Sequence, residues 1–267
     1  MSEQETPDGP AELSLSDPEE LGRALRPCAR WLVVLDFDGT LSPIVDHPDL
    51  ATPAPGALAA LRALSEATSV AVLSGRPVAD VRRRLEGLPV AYAGGHGAEL
   101  VLADGREAPL VDPAVVAETL DAAEGELRAL VDDEPGWLVE RKAASLAVHH
   151  RLASEDSVAS HVPRVEALLE RRGRDEPGFD VLAGKAVVEM RPTGADKGAA
   201  LERILEDTAG RTPLVIGDDV TDEDAFRVAR SHGGRAVLVS EAPRPTTATD
   251  RISDPDAVVR LLAALVG

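Results

Sequence analysis

The chain has 267 residues, of which 44% are apolar, 28% charged and only 2% aromatic, and its formal net charge is −19. A chain of this length buries roughly 75% of its unfolded surface, and the composition excludes wholesale disorder, a collagen repeat and a stapled miniprotein. Six aromatic residues and a strong negative charge exclude a nucleic-acid groove, which needs stacking rings and cations.

Residues 1–18 are rich in Pro, Ser and Glu without periodicity and are expected to form an acidic flexible tail. The first 20 residues carry seven carboxylates and no Lys or Arg, the opposite of a secretion signal, and no apolar run is long enough to span a membrane. A soluble, cytoplasmic protein is expected, with Cys28, the only cysteine, as core filler. From Trp31 the run WLVVL reads as a strand covered on both faces. Leu58, Leu61 and Leu64 then mark a helix over 55–67, SVAVL a second buried strand, and 78–88 a second helix. AYAGGHGAELVLADG reads as a short strand, a glycine-rich turn and a hairpin.

The pattern changes at Asp112. Helices over 114–131 and 158–172 alternate with the strand patterns WLVERKA, SLAVHHR and FDVLAGKAVVEM, which suits an inserted domain. The first pattern resumes with a helix over 197–209, the strand PLVIG, a helix over 222–229, the strand GRAVLVS and a closing helix over 255–266. The expected fold is α/β: a Rossmann-like core, a parallel sheet with helices on both faces, carrying an inserted α/β cap. Its expected division is core over 19–111 and 191–267, and cap over 112–190.

Three apolar strands end in polar clusters: Asp36 and Asp38, Ser74 and Arg76, and Asp218 and Asp219. Ligands of open parallel sheets bind beyond the carboxyl ends of the strands, so these groups are expected to share one crevice. Asp-x-Asp alone is weak evidence, since triplets also start at Asp222 and Asp254 and about two are expected by chance in a chain this rich in Asp. Asp36, Asp38 and Asp218 together need a cation, and hard oxygen ligands suggest Mg²⁺ completed by a phosphate oxygen. Lys197 at a helix start and Ser74 supply phosphate contacts. An ionised Asp36 can attack phosphorus while Asp38 serves as acid and then base. Asp219 and Asp222 either orient metal-bound water or cap the following helix, and Arg76 is at least as well read as structural. His149 and His150 are adjacent on a strand, point to opposite faces and cannot share a metal.

LDFDGTL, SGR, DKG and GDDVTDED, in this order and spacing, resemble the four motifs of haloacid-dehalogenase-type phosphatases. YAGGHGAE, ERKAASLAVHHR and VEMRPTGADKG resemble, within that superfamily, the trehalose-6-phosphate phosphatase family. The resemblance implies the final step of trehalose biosynthesis, Mg²⁺-dependent hydrolysis of trehalose 6-phosphate through an aspartyl-phosphate. It implies Asp36 as nucleophile, Asp38 as general acid/base, and Mg²⁺ on Asp36, Asp218 and the main-chain carbonyl of Asp38. Phosphate would rest on Ser74, Gly75 and Lys197, and the distal glucose on Glu140, Lys142 and Glu189, with His96 a further substrate contact. His150 and Gly95 depart from the family's usual Tyr and Asn. A monomer is expected, with a trehalose-6-phosphate synthase as candidate partner. Hydrolysis of another sugar phosphate, of the sucrose 6-phosphate or mannosyl-3-phosphoglycerate type, phosphoryl return to a sugar, and a silent binding module remain alternatives; the presence of Asp36, Asp38, Lys197 and Asp218 argues against the last.

Overall fold

The computed structural model describes residues 13–26, 30–45, 47–142, 144–175, 178–184 and 186–267. Cys28 and the first twelve residues of the expected tail lie outside them. The core sheet has seven strands: β1 (Trp31–Leu35), β2 (Ser69–Leu73), β3 (Ala91–Gly94), β4 (Glu99–Val101), β9 (Thr212–Gly217), β10 (Arg235–Val239) and β11 (Asp250–Ile252). Their spatial order is β11-β10-β9-β1-β2-β3-β4, parallel except for β4, which runs against β3. The chain works outward from β1 to β4 on one side and returns to β9 on the other. The order therefore reverses between β1 and β9, the crevice where doubly wound folds bind ligands.

β1 is buried along its length because both faces are covered. Trp31, Val33 and Leu35 pack into one apolar layer with α1 (Pro18–Leu25), α2 (Ala57–Ala67), α3 (Val78–Arg84) and α8 (Pro255–Val266). Leu32 and Val34 face the other layer, with α6 (Lys197–Asp207) and α7 (Asp222–Ser231). The two-sided helical cover explains why the strands read as unbroken apolar runs.

Between the two halves of the core stands a second sheet of β5 (Leu138–Arg141), β6 (Leu146–His149), β7 (Phe179–Gly184) and β8 (Val187–Pro192), in the antiparallel order β5-β6-β8-β7. Val139, Leu146, Val148, Val188 and Met190 pack in a third apolar layer with α4 (Pro113–Val131) and α5 (Glu155–Asp175). Asp112 caps α4 by accepting from Ala114 N at 2.9 Å.

Several boundaries differ from expectation for local reasons. α3 stops at Arg84 because Glu86 and Gly87 take positive φ (53° and 70°) and reverse the chain. α1 and β11 are short elements that the sequence pattern passed over. The end of the segment expected as tail is ordered: Ser16 N donates to Arg251 O at 2.7 Å, Arg251 Nε donates to Leu13 O at 2.7 Å, and Asp17 caps α1. None of the described helices is long and apolar enough to cross a membrane.

Candidate active site

β9, β1 and β2 are neighbours, so Asp218, Asp36 and Ser74, which follow them, open at the same edge of the sheet. Asp36, Asp218 and Asp222 each offer a carboxylate oxygen within 4.8 Å of the others. Lys197 opens α6, buried beneath them, and its Nζ donates to Asp36 Oδ1 at 2.8 Å and Asp222 Oδ1 at 2.7 Å. Asp222 Oδ2 accepts from the main-chain N–H groups of Asp218 (3.0 Å) and Asp219 (2.9 Å), which shapes the turn that presents Asp218. Thr40 Oγ1 donates to Asp218 Oδ1 at 3.1 Å, and Arg244 Nη2 donates to the carbonyls of Asp218 and Asp219 at 3.1 Å each.

The charge balance is unfavourable for the protein alone. Burial pushes the Asp36 carboxyl well above its ordinary value; Lys197 opposes the rise, and Asp222 and Asp218 add to it. Burial and then the Asp222 charge push Asp218 up to about 6, although Thr40 and Lys197 pull the other way. Burial alone would lower the Lys197 ammonium, but Asp36 and Asp222 outweigh it and raise it above its usual range. One lysine is too little positive charge for three crowded carboxylates. Both oxygens of Asp222 are taken by protein donors, whereas Asp36 and Asp218 keep acceptor capacity, and that donor set fits a hard divalent cation.

Gly39, at φ 82°, lets the chain turn tightly past this cluster, and a Cβ there would run into the Asp218 carboxylate. Asp38 stands apart, half exposed at the rim. Arg76 grips it with both prongs, Nε to Oδ2 at 2.6 Å and Nη2 to Oδ1 at 2.7 Å, while also bonding Asp80 and the Pro48 carbonyl. The hydrogen bonds and charge of Asp38, with Asp80 adding to them, raise the guanidinium above its usual value against the opposing effect of burial. Arg76 N in turn donates to Ser74 Oγ at 3.2 Å, with Gly75 between them. Asp219 is exposed, accepts from Val220 N at 2.7 Å and caps its own turn. The triplet at Asp254 is a helix cap, accepting from Ala257 N at 2.8 Å.

The glycine-rich turn joins this rim to the inserted sheet. Gly95 N donates to Arg76 O at 3.0 Å, a Cβ on Gly97 would strike Asp196 O just before Lys197, and a Cβ on Gly95 would stand 3.2 Å from Ala144 Cβ of the insert. His96 lies in the middle of the turn. Beyond Ala144, Glu140, Lys142 and Glu189 come together: Lys142 Nζ is 3.5 Å from Glu189 Oε1 and 4.0 Å from Glu140 Oε2. Ser145 Oγ donates to Glu189 Oε1 at 2.6 Å, and His149 Nε2 lies 2.8 Å from Glu140 Oε2. Ser145, Thr40, Arg244 and the Arg76–Asp38 pair are not singled out by sequence reasoning, and His149 is read there only as a strand histidine that cannot share a metal with His150. Thr40 falls inside LDFDGTL and signals itself; Arg244 carries no sequence signal.

A doubly wound core with carboxylates and a buried lysine at its switch point has the haloacid-dehalogenase architecture. A Bacteroides thetaiotaomicron phosphatase of that superfamily superposes with a TM-score of 0.56, at 14% identity, over 88% of this chain and 94% of its own. The trehalose-phosphatase family profile matches residues 34–257, and the chain belongs to that family. The trehalose-phosphate phosphatases of Mycobacterium marinum and Mycobacterium tuberculosis are 39% and 41% identical over 88% and 84% of this chain. The chain spans only about three fifths of their length, 61% and 58%. The C-terminal domain of Candida albicans trehalose-6-phosphate phosphatase superposes with a TM-score of 0.74 at 25% identity, covering 96% of this chain and 99% of that one.

Proposed function

We propose that the protein is a Mg²⁺-dependent phosphatase that hydrolyses trehalose 6-phosphate to trehalose and phosphate. The observation that carries this reading is the Asp36–Lys197–Asp222 cluster at the switch point, with Asp218 beside it, in a chain of the trehalose-phosphatase family. Asp36, Asp218 and the Asp38 carbonyl would hold the metal, which when bound neutralises charge on the phosphoryl group. Asp36, oriented through Oδ1 by Lys197, attacks phosphorus and becomes an aspartyl-phosphate. Asp38 leaves the grip of Arg76 to protonate the departing sugar oxygen, then takes a proton from the water that cleaves the intermediate. Ser74, Gly75 and Lys197 hold the phosphate, and Asp222 fixes both the lysine and the Asp218 turn.

Glu140, Lys142 and Glu189, with His96 in the turn below, supply the hydroxyl contacts that select the disaccharide. The insert excludes water from the crevice when it lies over the core. A cytoplasmic monomer, with a trehalose-6-phosphate synthase as its partner, belongs to the same reading. The test is phosphate release from trehalose 6-phosphate, glucose 6-phosphate, sucrose 6-phosphate and mannosyl-3-phosphoglycerate, with Mg²⁺ and with EDTA. Preference for trehalose 6-phosphate, lost with EDTA and in Asp36→Asn, supports the proposal. Preference for another of the four keeps the chemistry and removes the substrate assignment.

A further inference from the structure

The inserted sheet packs one face against α4 and α5. Residues paired directly across antiparallel strands share a face, so the register places Leu138, Glu140, Ala147, His149, Val187, Glu189 and Leu182 on the side away from α4 and α5. Leu138 and Leu182 remain 61% and 41% exposed there, which leaves apolar surface beside the charged groups. Glu140, Ala147 and Glu189 form one row across β5, β6 and β8, two carboxylates separated by a methyl group. Such a surface, with acceptors at its centre and apolar flanks, suits a pyranose, whose hydroxyls point outward around a ring with C–H faces.

Within it His149 has a particular place. It sits opposite Leu138 and Val187, diagonal to Glu140, and its Nε2 lies 2.8 Å from Glu140 Oε2. An ionised carboxylate only accepts, so Nε2 carries the hydrogen and donates. A free glutamate side chain samples many rotamers and loses that freedom when a sugar hydroxyl binds it. His149 removes the loss beforehand by fixing Oε2, and it leaves Oε1, which has no partner among the described residues, to accept from ligand. A surface hydrogen bond of this kind adds little to stability. Its value lies in preorganisation.

We propose that His149 is a specificity-determining positioning residue, which orients Glu140 for the glucose unit that bears no phosphate. The inference rests on the trehalose 6-phosphate reading and deepens it. The phosphorylated ring is held through its phosphate by the core, whereas the second ring has only hydroxyls to offer, and the His149–Glu140 pair acts on that ring alone.

Binding to the full chain in an Asp36→Asn background, which cannot turn substrate over, tests the idea by titration calorimetry with Mg²⁺ present. The ligands are trehalose 6-phosphate and glucose 6-phosphate, which lacks the second ring. Adding His149→Ala weakens trehalose 6-phosphate about tenfold, the size of one charge-assisted hydrogen bond, and shifts glucose 6-phosphate less than twofold. His149→Gln, whose amide can donate to the same oxygen, recovers most of the loss. Equal weakening of both ligands, no weakening of either, or failure of Gln to do better than Ala overturns the role of His149. If the Asp36→Asn protein itself binds trehalose 6-phosphate no tighter than glucose 6-phosphate, the substrate assignment fails instead, so the two failures are separable. His149 is more than a third exposed, and the thermal midpoint of each variant confirms that the fold is intact.

Discussion

The buried lysine decides the energetics of the site. Lys197 is 3% exposed and compensates two carboxylates at once. Removing one partner of a buried ion pair leaves an uncompensated charge and costs about 3–5 kcal/mol. Lys197→Ala is therefore expected to lose roughly that much stability in denaturant titrations, and Asp36→Asn in the same background to recover part of it, because the two groups share one interaction. On the proposed mechanism Asp36→Asn alone is expected to abolish phosphate release while keeping the thermal midpoint within a few degrees, because Lys197 keeps its pairing with Asp222. Asp218 adds a pH dependence. Its folded value, about 6, lies above its unfolded one, so the folded state holds a proton that the unfolded chain releases. The stability of the metal-free protein accordingly falls as pH rises from about 4 to about 6, by about 3 kcal/mol for a two-unit shift. In Asp218→Asn the fall between pH 4 and 6 is smaller by that amount; an unaltered pH profile would remove Asp218 from the account.

At the scale of elements, α3 is fastened to the loop after β1 by arginines converging on one carboxylate. Asp80 accepts from Arg76, Arg83 and Arg84, of which Arg76 also holds the Pro48 carbonyl and Arg84 that of Ala51. Partial burial opposes ionisation of Asp80, but the three guanidinium groups outweigh it and hold the carboxyl at about 2. Its contribution is present above the ordinary value near 4 and lost as pH falls towards 2. Asp80→Asn is expected to cost about 1 kcal/mol at pH 7 in chemical denaturation, solvent screening taking up the rest of the shift, a difference that shrinks below pH 4 and vanishes near 2.

The elements differ in how plainly the sequence announces them. WLVVL, SVAVL and PLVIG are legible because a strand covered on both faces needs no polar alternation, and they carry Asp36, Ser74 and Asp218 to their places. The three-residue β11 and the eight-residue α1 are held by partners distant in sequence, Arg251 with Leu13 and Ser16, and α1 against α8, which no local pattern encodes. The same division runs through the site. Asp36 and Lys197 lie in motifs with recognisable spacing, whereas the grip of Arg244 on the Asp218 turn joins residues 26 apart and reveals itself only in space.

For the whole molecule, a net charge of −19 means self-repulsion that opposes the compact state, most strongly at low ionic strength. Sodium chloride screens this repulsion wherever it arises and is expected to raise the thermal midpoint by a few degrees, alike in the native sequence and in Asp218→Asn. Magnesium ions should do more. Besides screening, they relieve the local excess of Asp36, which is buried, and Asp218, which is partly buried, two carboxylates whose raised values record how poorly one lysine balances them. A ligand that binds only the folded state stabilises it by mass action, about 2.7 kcal/mol at a hundred times its dissociation constant. The comparison is millimolar MgCl₂ against NaCl of matched ionic strength, read by scanning calorimetry at pH 7.5 and pH 5. The increment specific to Mg²⁺ is expected to be present at pH 7.5, smaller at pH 5 where protons compete for the same carboxylates, and absent in Asp218→Asn at both. Equal increments in the two proteins would mean that the ion acts on the diffuse surface charge, and the metal assignment at the switch point would fall.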